Sequence, residues 1–275
     1  MSSWVRRRSP KRGYLHGRHP YYRVGSGPKP LIVFPGVSDA FSPLGLSRVQ
    51  AWLLERYYFR RYRQKYTIYV LGRPHGLPAG WTTREMAADY AAAIEALGYD
   101  RVPCLGISVG GLIAQHLAAE FECVSRLVCS VAGHRLGERG RERLGCWREW
   151  VVRGNWFDVL RDTIPASYTG YRRWLYPPLL RAARPLVPTP ASEADIVTSL
   201  EACLDHDASD SLREIDVPTL VIGGREDRLF PPDVLEETAE AVPESRLELI
   251  SGVGHGGYEE RRGAFDATIA TFLDR

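Results

Sequence analysis

The chain reads as an α/β protein with a mostly parallel central sheet, helices on both faces and a helical insertion late in the fold. Three observations carry that prediction. Short apolar, β-rich runs alternate with helical patterns along most of the chain. The runs are continuous rather than alternating, as in Leu31–Phe34 and Val102–Ile107, which is how strands covered on both faces read. The rhythm then breaks over 134–205, which has no strand pattern and holds four of the seven tryptophans (Trp147, Trp150, Trp156 and Trp174).

Each element has its own justification. Leu31–Phe34 is a strand ended by Pro35-Gly36, and Leu46–Arg61 is a helix with Val49, Leu53 and Arg56/Tyr57 on one side. Thr67–Leu71 is a strand closed by Gly72. The helix Thr83–Leu97 is the best marked: Thr82 caps it, Glu85 completes a capping box, and Gly98 follows its end. Met86, Tyr90, Ala93, Ile94 and Leu97 supply its apolar face. Val102–Ile107 is a strand, Leu112–Phe121 a helix and Ser125–Val131 a strand. In the insertion Trp147, Trp150 and Val151 share a helix face, and Pro177, Pro178, Pro185, Pro188 and Pro190 punctuate the rest. The closing run is a strand at Thr219–Ile222, a helix at Pro232–Val242, a strand at Arg246–Ile250 and a helix at Glu259–Leu273. The organisation expected is a basic arm over 1–20, a core built from 21–133 and 206–275, and a helical lid over 134–205.

Composition removes several classes. The 275 residues are 44% hydrophobic and 25% charged, an ordinary globular balance. No run approaches the ~20 apolar residues of a membrane-spanning helix. The five cysteines follow no metal-ligand spacing and read as reduced, buried thiols, which points to the cytoplasm. The net charge of +3 hides an asymmetry: residues 1–65 hold 14 of the 36 Lys and Arg but two of the 33 acids, Asp39 and Glu55. The run Arg6-Arg7-Arg8 is not followed by the apolar stretch of a secretory signal. It reads as a solvated tail with at most weak contact to an anionic surface. The run Arg56–Lys65, interleaved with Tyr57, Tyr58 and Tyr62, reads as a solvated helix face, so no nucleic-acid partner is expected.

The chemistry concentrates in four loops. Gly106-Ile107-Ser108-Val109-Gly110-Gly111 is a G-x-S-x-G between a strand and a helix. A serine on so sharp a turn points its hydroxyl out of the sheet, and the helix behind it aims free N–H groups at the same place. Serine at its ordinary pKa is a weak nucleophile and needs a base. His255, in Gly252-Val253-Gly254-His255-Gly256-Gly257 after the last strand, is the candidate. Asp227, in Gly223-Gly224-Arg225-Glu226-Asp227 after the preceding strand, is the acid that would orient it, with Glu226 and Asp233 as competitors. An oxyanion needs two backbone donors. The N–H of Val109 is one, and the N–H of Val37, in the loop after the first core strand, is the other. Of the remaining histidines, His16, His19, His75, His134 and His206 read as exposed or loop-packing residues.

At these residues the sequence resembles the alpha/beta-hydrolase superfamily, over roughly 20–133 and 206–275. The order Ser108, Asp227, His255 is that family's order. The chain looks most like the small enol-lactonases, cofactor-free perhydrolases and carboxylesterases. Two departures stand out. The oxyanion loop has Pro35-Gly36 where the family commonly has His-Gly. Gly72-Arg73-Pro74-His75-Gly76 lacks the Asp that often precedes Arg-Gly-His-Gly, so His75 is read as a loop residue. The resemblance implies a serine hydrolase cleaving a small carboxylic ester or lactone, with no metal or organic cofactor. The same triad serves acyl transfer, perhydrolysis or C–C cleavage in other hands, and a binding module is the non-catalytic alternative.

Overall fold

The computed structural model describes residues 11–41, 52 and 55–275. Its described strands form one sheet in the order β1-β2-β4-β3-β5-β6-β7-β8. The chain enters through β1 (Arg12–Leu15) and β2 (His19–Val24), continues through β3 (Lys29–Phe34) and β4 (Tyr66–Leu71), and forms helix α1 (Thr83–Ala96). Then come β5 (Val102–Ile107), α2 (Val109–Glu120) and β6 (Val124–Ser130). Four helices follow before the sheet resumes: α3 (Glu138–Val152), α4 (Trp156–Ser167), α5 (Arg172–Ala182) and α6 (Glu193–Leu204). The chain closes with β7 (Thr219–Gly224), α7 (Pro232–Ala241), β8 (Ser245–Ile250), α8 (Gly257–Glu260) and α9 (Arg262–Leu273).

From β4 to β8 every pairing is parallel, while β1 and β2 are antiparallel additions at one edge. Parallel neighbours require crossovers, and the helices that make them cover both faces. That is why β7, Thr-Leu-Val-Ile-Gly-Gly, is buried at every residue. One apolar cluster gathers Ile32, Phe34, Met86, Tyr90, Leu112 and Trp147. A second gathers Leu31, Val33, Leu105, Leu220, Phe265 and Phe272. The two sets are alternate residues of the same strands, so the sheet has a core on each side.

The solvated arm expected over 1–20 needs correction from Arg12 onward, because β1 and β2 form a hairpin. Its turn has positive φ at His16 (49°) and Gly17 (70°), a mirror-type turn whose twist suits antiparallel strands. His19, Tyr21 and Val24 of β2 are buried where the hairpin lies along β4. Those inward positions are spaced among Arg and Pro, which hides the strand from a reading based on charge. Residues 1–10, with Arg6–Arg8, lie outside the described residues. Half of the helix expected at Leu46–Arg61 does too; within it 52 and 55–57 are helical and turns follow to 65.

The capping box at Thr82 and Glu85 is present. The last helix is broken at Arg261 into α8 and α9. The expected helix at Leu112 begins three residues earlier, at Val109, directly behind Ser108.

Candidate active site

Ser108 stands at the end of β5 with φ 53° and ψ −120°. A non-glycine residue in that region costs about 1–3 kcal/mol and persists only where its surroundings enforce it. Here the enforcement is close packing. A methyl group on Gly106 would sit 2.5 Å from the Gly110 carbonyl oxygen, and one on Gly110 would sit 2.2 Å from that of Phe34. Only hydrogen fits at either place, so strand and helix approach closely enough to hold Ser108 at the apex. The Ser108 carbonyl takes the first bonds of α2, from the N–H groups of Gly111 and Leu112.

β7 and β8 deliver the other two residues to the same sheet edge. His255 Nε2 lies 2.9 Å from Ser108 Oγ, and His255 Nδ1 lies 2.8 Å from Asp227 Oδ2. Oδ1 of Asp227 accepts the N–H groups of Leu229 (2.8 Å) and Phe230 (3.1 Å). The buried carboxylate is thus saturated with donors and turns one oxygen to the imidazole. An ionised carboxylate is acceptor only, so Nδ1 carries the proton and Nε2 is left to accept from Ser108. The Phe230 ring stacks on the imidazole with 5.8 Å between centroids.

Glu226, the rival acid, does something different. Its carboxylate accepts the N–H groups of Gly252 (3.0 Å) and Val253 (2.8 Å) and so holds the loop that carries His255. The insertion grips the same loop: the Gly256 N–H donates to the Ser167 carbonyl at 2.7 Å. Tyr58 and Tyr168 both donate to Glu259, and burial beside that carboxylate pushes both phenols up.

Val37 and Val109 lie with Ser108, His255, Trp147 and Phe230 around a small apolar cavity. A methyl group on Gly36 would reach within 3.4 Å of Ser108 Cβ, so the loop passes against the serine. Arg73 holds that loop from behind. Its guanidinium donates to the carbonyls of Gly36 (2.9 Å) and Val37 (3.3 Å), and its own N–H donates to Asp39 at 2.8 Å. In a trans peptide C=O and N–H point opposite ways, so the Val37 N–H is directed away from Arg73. Sequence reading passed over Arg73. Its signal was position: it follows β4 directly, at the edge where the loop after β3 also emerges.

A larger cavity of about 400 Å³ opens beside Ser108 and His255, walled by Phe59, Leu105, Ile164, Phe265 and Ile269, with Tyr58, Glu259 and Arg262 as polar members. A separate hollow of about 640 Å³ meets the 35–40 loop but contains none of Ser108, Asp227 and His255; His75 lines it. Among the other histidines, His134 and His206 are buried loop residues, as the loop-packing reading allows, whereas His19 is buried in a strand rather than in a loop. Each is enclosed by a helix that sequence proximity does not reveal; His206 sits edge-on to His116 of α2 at 5.2 Å. No group of metal-ligating side chains occurs among the described residues.

The fold has solved relatives. The enol-lactonase of Burkholderia xenovorans LB400 superposes with a TM-score of 0.75 at 21% identity, covering 96% of this chain and 100% of that one. The esterase EaEST of Exiguobacterium antarcticum gives 0.74 at 23%, covering 94% and 96%. In sequence, the AB hydrolase superfamily protein YisY of Bacillus subtilis is 26% identical over 200 residues, 70% of this chain and 74% of that protein. The profile of the alpha/beta hydrolase fold matches residues 72–262. The chain belongs to the alpha/beta hydrolase family and is an enzyme of hydrolase type.

Proposed function

We propose that this hydrolase cleaves a small carboxylic ester or lactone through an acyl-enzyme on Ser108, with His255 as base and Asp227 as its orienting acid. The observation that carries the proposal is the unbroken hydrogen-bond chain from Asp227 through His255 to Ser108. Ser108 Oγ attacks the carbonyl carbon and passes its proton to His255 Nε2. The imidazolium, stabilised by Asp227, returns that proton to the leaving alkoxide as the tetrahedral intermediate collapses. Water, activated by the same nitrogen, then releases the acid and restores Ser108. The N–H groups of Val37 and Val109 hold the oxyanion: the first is oriented by Arg73, and the second is among the N–H groups at the start of α2 that have no partner within the helix.

The helices over 134–205 act as the lid. Thr163, Ile164, Ser167 and Tyr168 of this segment line the cavity beside Ser108, so acyl or alcohol groups meet both core and insertion there. The names of the enol-lactonase and the esterase support ester-type chemistry. The five cysteines are free, which suits a reducing cytoplasm, though Cys146 is exposed and Cys123 half-buried rather than buried as expected.

The test is hydrolysis of p-nitrophenyl esters from acetate to palmitate, with Ser108→Ala beside the unaltered protein. Loss of turnover by several orders of magnitude is expected, with a chain-length optimum set by the cavity. Undiminished hydrolysis by Ser108→Ala would overturn the assignment. Absence of labelling by a small fluorophosphonate would point instead to a binding role.

A further inference from the structure

Helix α5 is inverted relative to the amphipathic rule. A surface helix normally turns its apolar stripe to the core. In and beside α5 the exposed apolar positions are Tyr171, Trp174, Leu175, Pro178, Leu179 and Ala182, a stripe at three-to-four-residue spacing, and none of the helix's residues is buried. Trp174 is 75% exposed, and Leu186 just beyond the helix is 86% exposed. The charge within the segment that carries the stripe has one sign. Residues 163–192 contain four arginines, Arg172, Arg173, Arg181 and Arg184, and no acid. Arg172 lies over the Tyr171 ring and Arg173 over the Trp174 ring, so charge and apolar surface are interleaved. The nearby acids Glu259 and Glu260 accept hydrogen bonds from Tyr168, Thr169 and Gly170. The same pairing of cation and exposed aromatic recurs outside the insertion: Arg262 lies over the Tyr57 ring and Arg56 over the Trp52 ring.

We infer that this face docks the protein on an anionic lipid bilayer. Exposed Trp and Leu fit the boundary between headgroups and acyl chains, and flanking arginines fit negatively charged headgroups. Charge complementarity selects this occupant over a second copy of the chain. A two-fold contact through α5 would bring its arginines against the same arginines of the partner, with no acid in the segment to receive them.

The test is co-sedimentation of the full chain with vesicles of equimolar phosphatidylcholine and phosphatidylglycerol, against vesicles of phosphatidylcholine alone. The protein is expected to pellet with the mixed vesicles at low salt and to be released by high salt. Trp174→Ser with Leu179→Ser should weaken binding at least about tenfold through lost apolar burial. Arg181→Gln should weaken it about fivefold. Ser108→Ala should bind as the unaltered protein does, and the Trp174/Leu179 variant should still hydrolyse a water-soluble short ester, so docking and hydrolysis fail separately. All these substitutions except Ser108→Ala lie on exposed side chains, and an unchanged thermal midpoint confirms the fold. Failure to pellet with the mixed vesicles at low salt overturns the inference. So does binding indifferent to the Trp174/Leu179 change, or a lipid-free dimer in sedimentation equilibrium that Leu179→Glu abolishes.

Discussion

The buried guanidinium of Arg73 donates to the carbonyl of Gly36 at 2.9 Å and thereby fixes the peptide that ends in the Val37 N–H. A second bond to the Val37 carbonyl and the backbone bond to Asp39 lock the loop on both sides. Arg73 touches no reacting atom in this arrangement. Under the proposed mechanism it is a positioning residue for the Val37 N–H, one of the two proposed oxyanion donors.

Arg73→Lys keeps a cation near Asp39 but replaces the planar guanidinium, whose Nη2 bonds both carbonyls, with a shorter-reaching, strongly hydrated ammonium. Turnover should fall about tenfold to a hundredfold, part of the roughly hundredfold to thousandfold that one oxyanion donor is worth. KM for a short p-nitrophenyl ester should change little, because ground-state binding does not use the hole. A rise in KM at constant kcat would argue that the loop shapes the pocket instead.

Asp227→Asn tests the tautomer. The amide oxygen can keep the Leu229 and Phe230 N–H groups, but its NH2 then faces His255 Nδ1. The imidazole must turn its proton to Nε2, where it cannot accept from Ser108. Turnover should fall about ten-thousandfold with the fold intact, measured as kcat beside a circular dichroism melt.

Gly110→Ala tests the packing that holds the elbow. The added methyl would stand 2.2 Å from a backbone oxygen of Phe34, an atom that cannot rotate away. The strand and helix must separate, at a cost of at least about 1–3 kcal/mol for overpacking. A urea midpoint well below that of the unaltered protein is expected.

His206 makes stability fall in acid. Burial, then the neighbouring His116, lowers its pKa from 6.5 to about 3. The folded protein therefore refuses a proton that the unfolded chain accepts below about 6.5. The contribution is whole above that pH and is lost as pH falls toward 3, at up to about 1.4 kcal/mol per pH unit. Urea unfolding across that window should show the decline, and His206→Gln should flatten it. His116 and His134, lowered mainly by burial, add to the slope.

Much of the architecture was legible because it rests on local rules. The strand-turn-helix around Ser108 follows from two glycines and an apolar run, and the Thr82 cap from two polar residues three apart. The β1–β2 hairpin was not legible, because its inward positions are set by β4, more than forty residues away. Arg73 and Glu226 were missed for a related reason. Each acts on a backbone group contributed by another loop, and sequence spacing does not encode that meeting.

The sequence by itself determined the alternation of core strands and helices from β3 onward, the elbow at Ser108, and the placement of Asp227 and His255 on loops at one sheet edge. Its continuous apolar runs and chain order require that much. Tertiary structure decided what each of the adjacent acids meets: the β7 turn points Asp227 at the imidazole and Glu226 at the N–H groups of Gly252 and Val253. It also decided that α5 turns its apolar stripe to solvent. An amphipathic pattern specifies two faces, but which of them meets the protein depends on how the neighbouring helices pack.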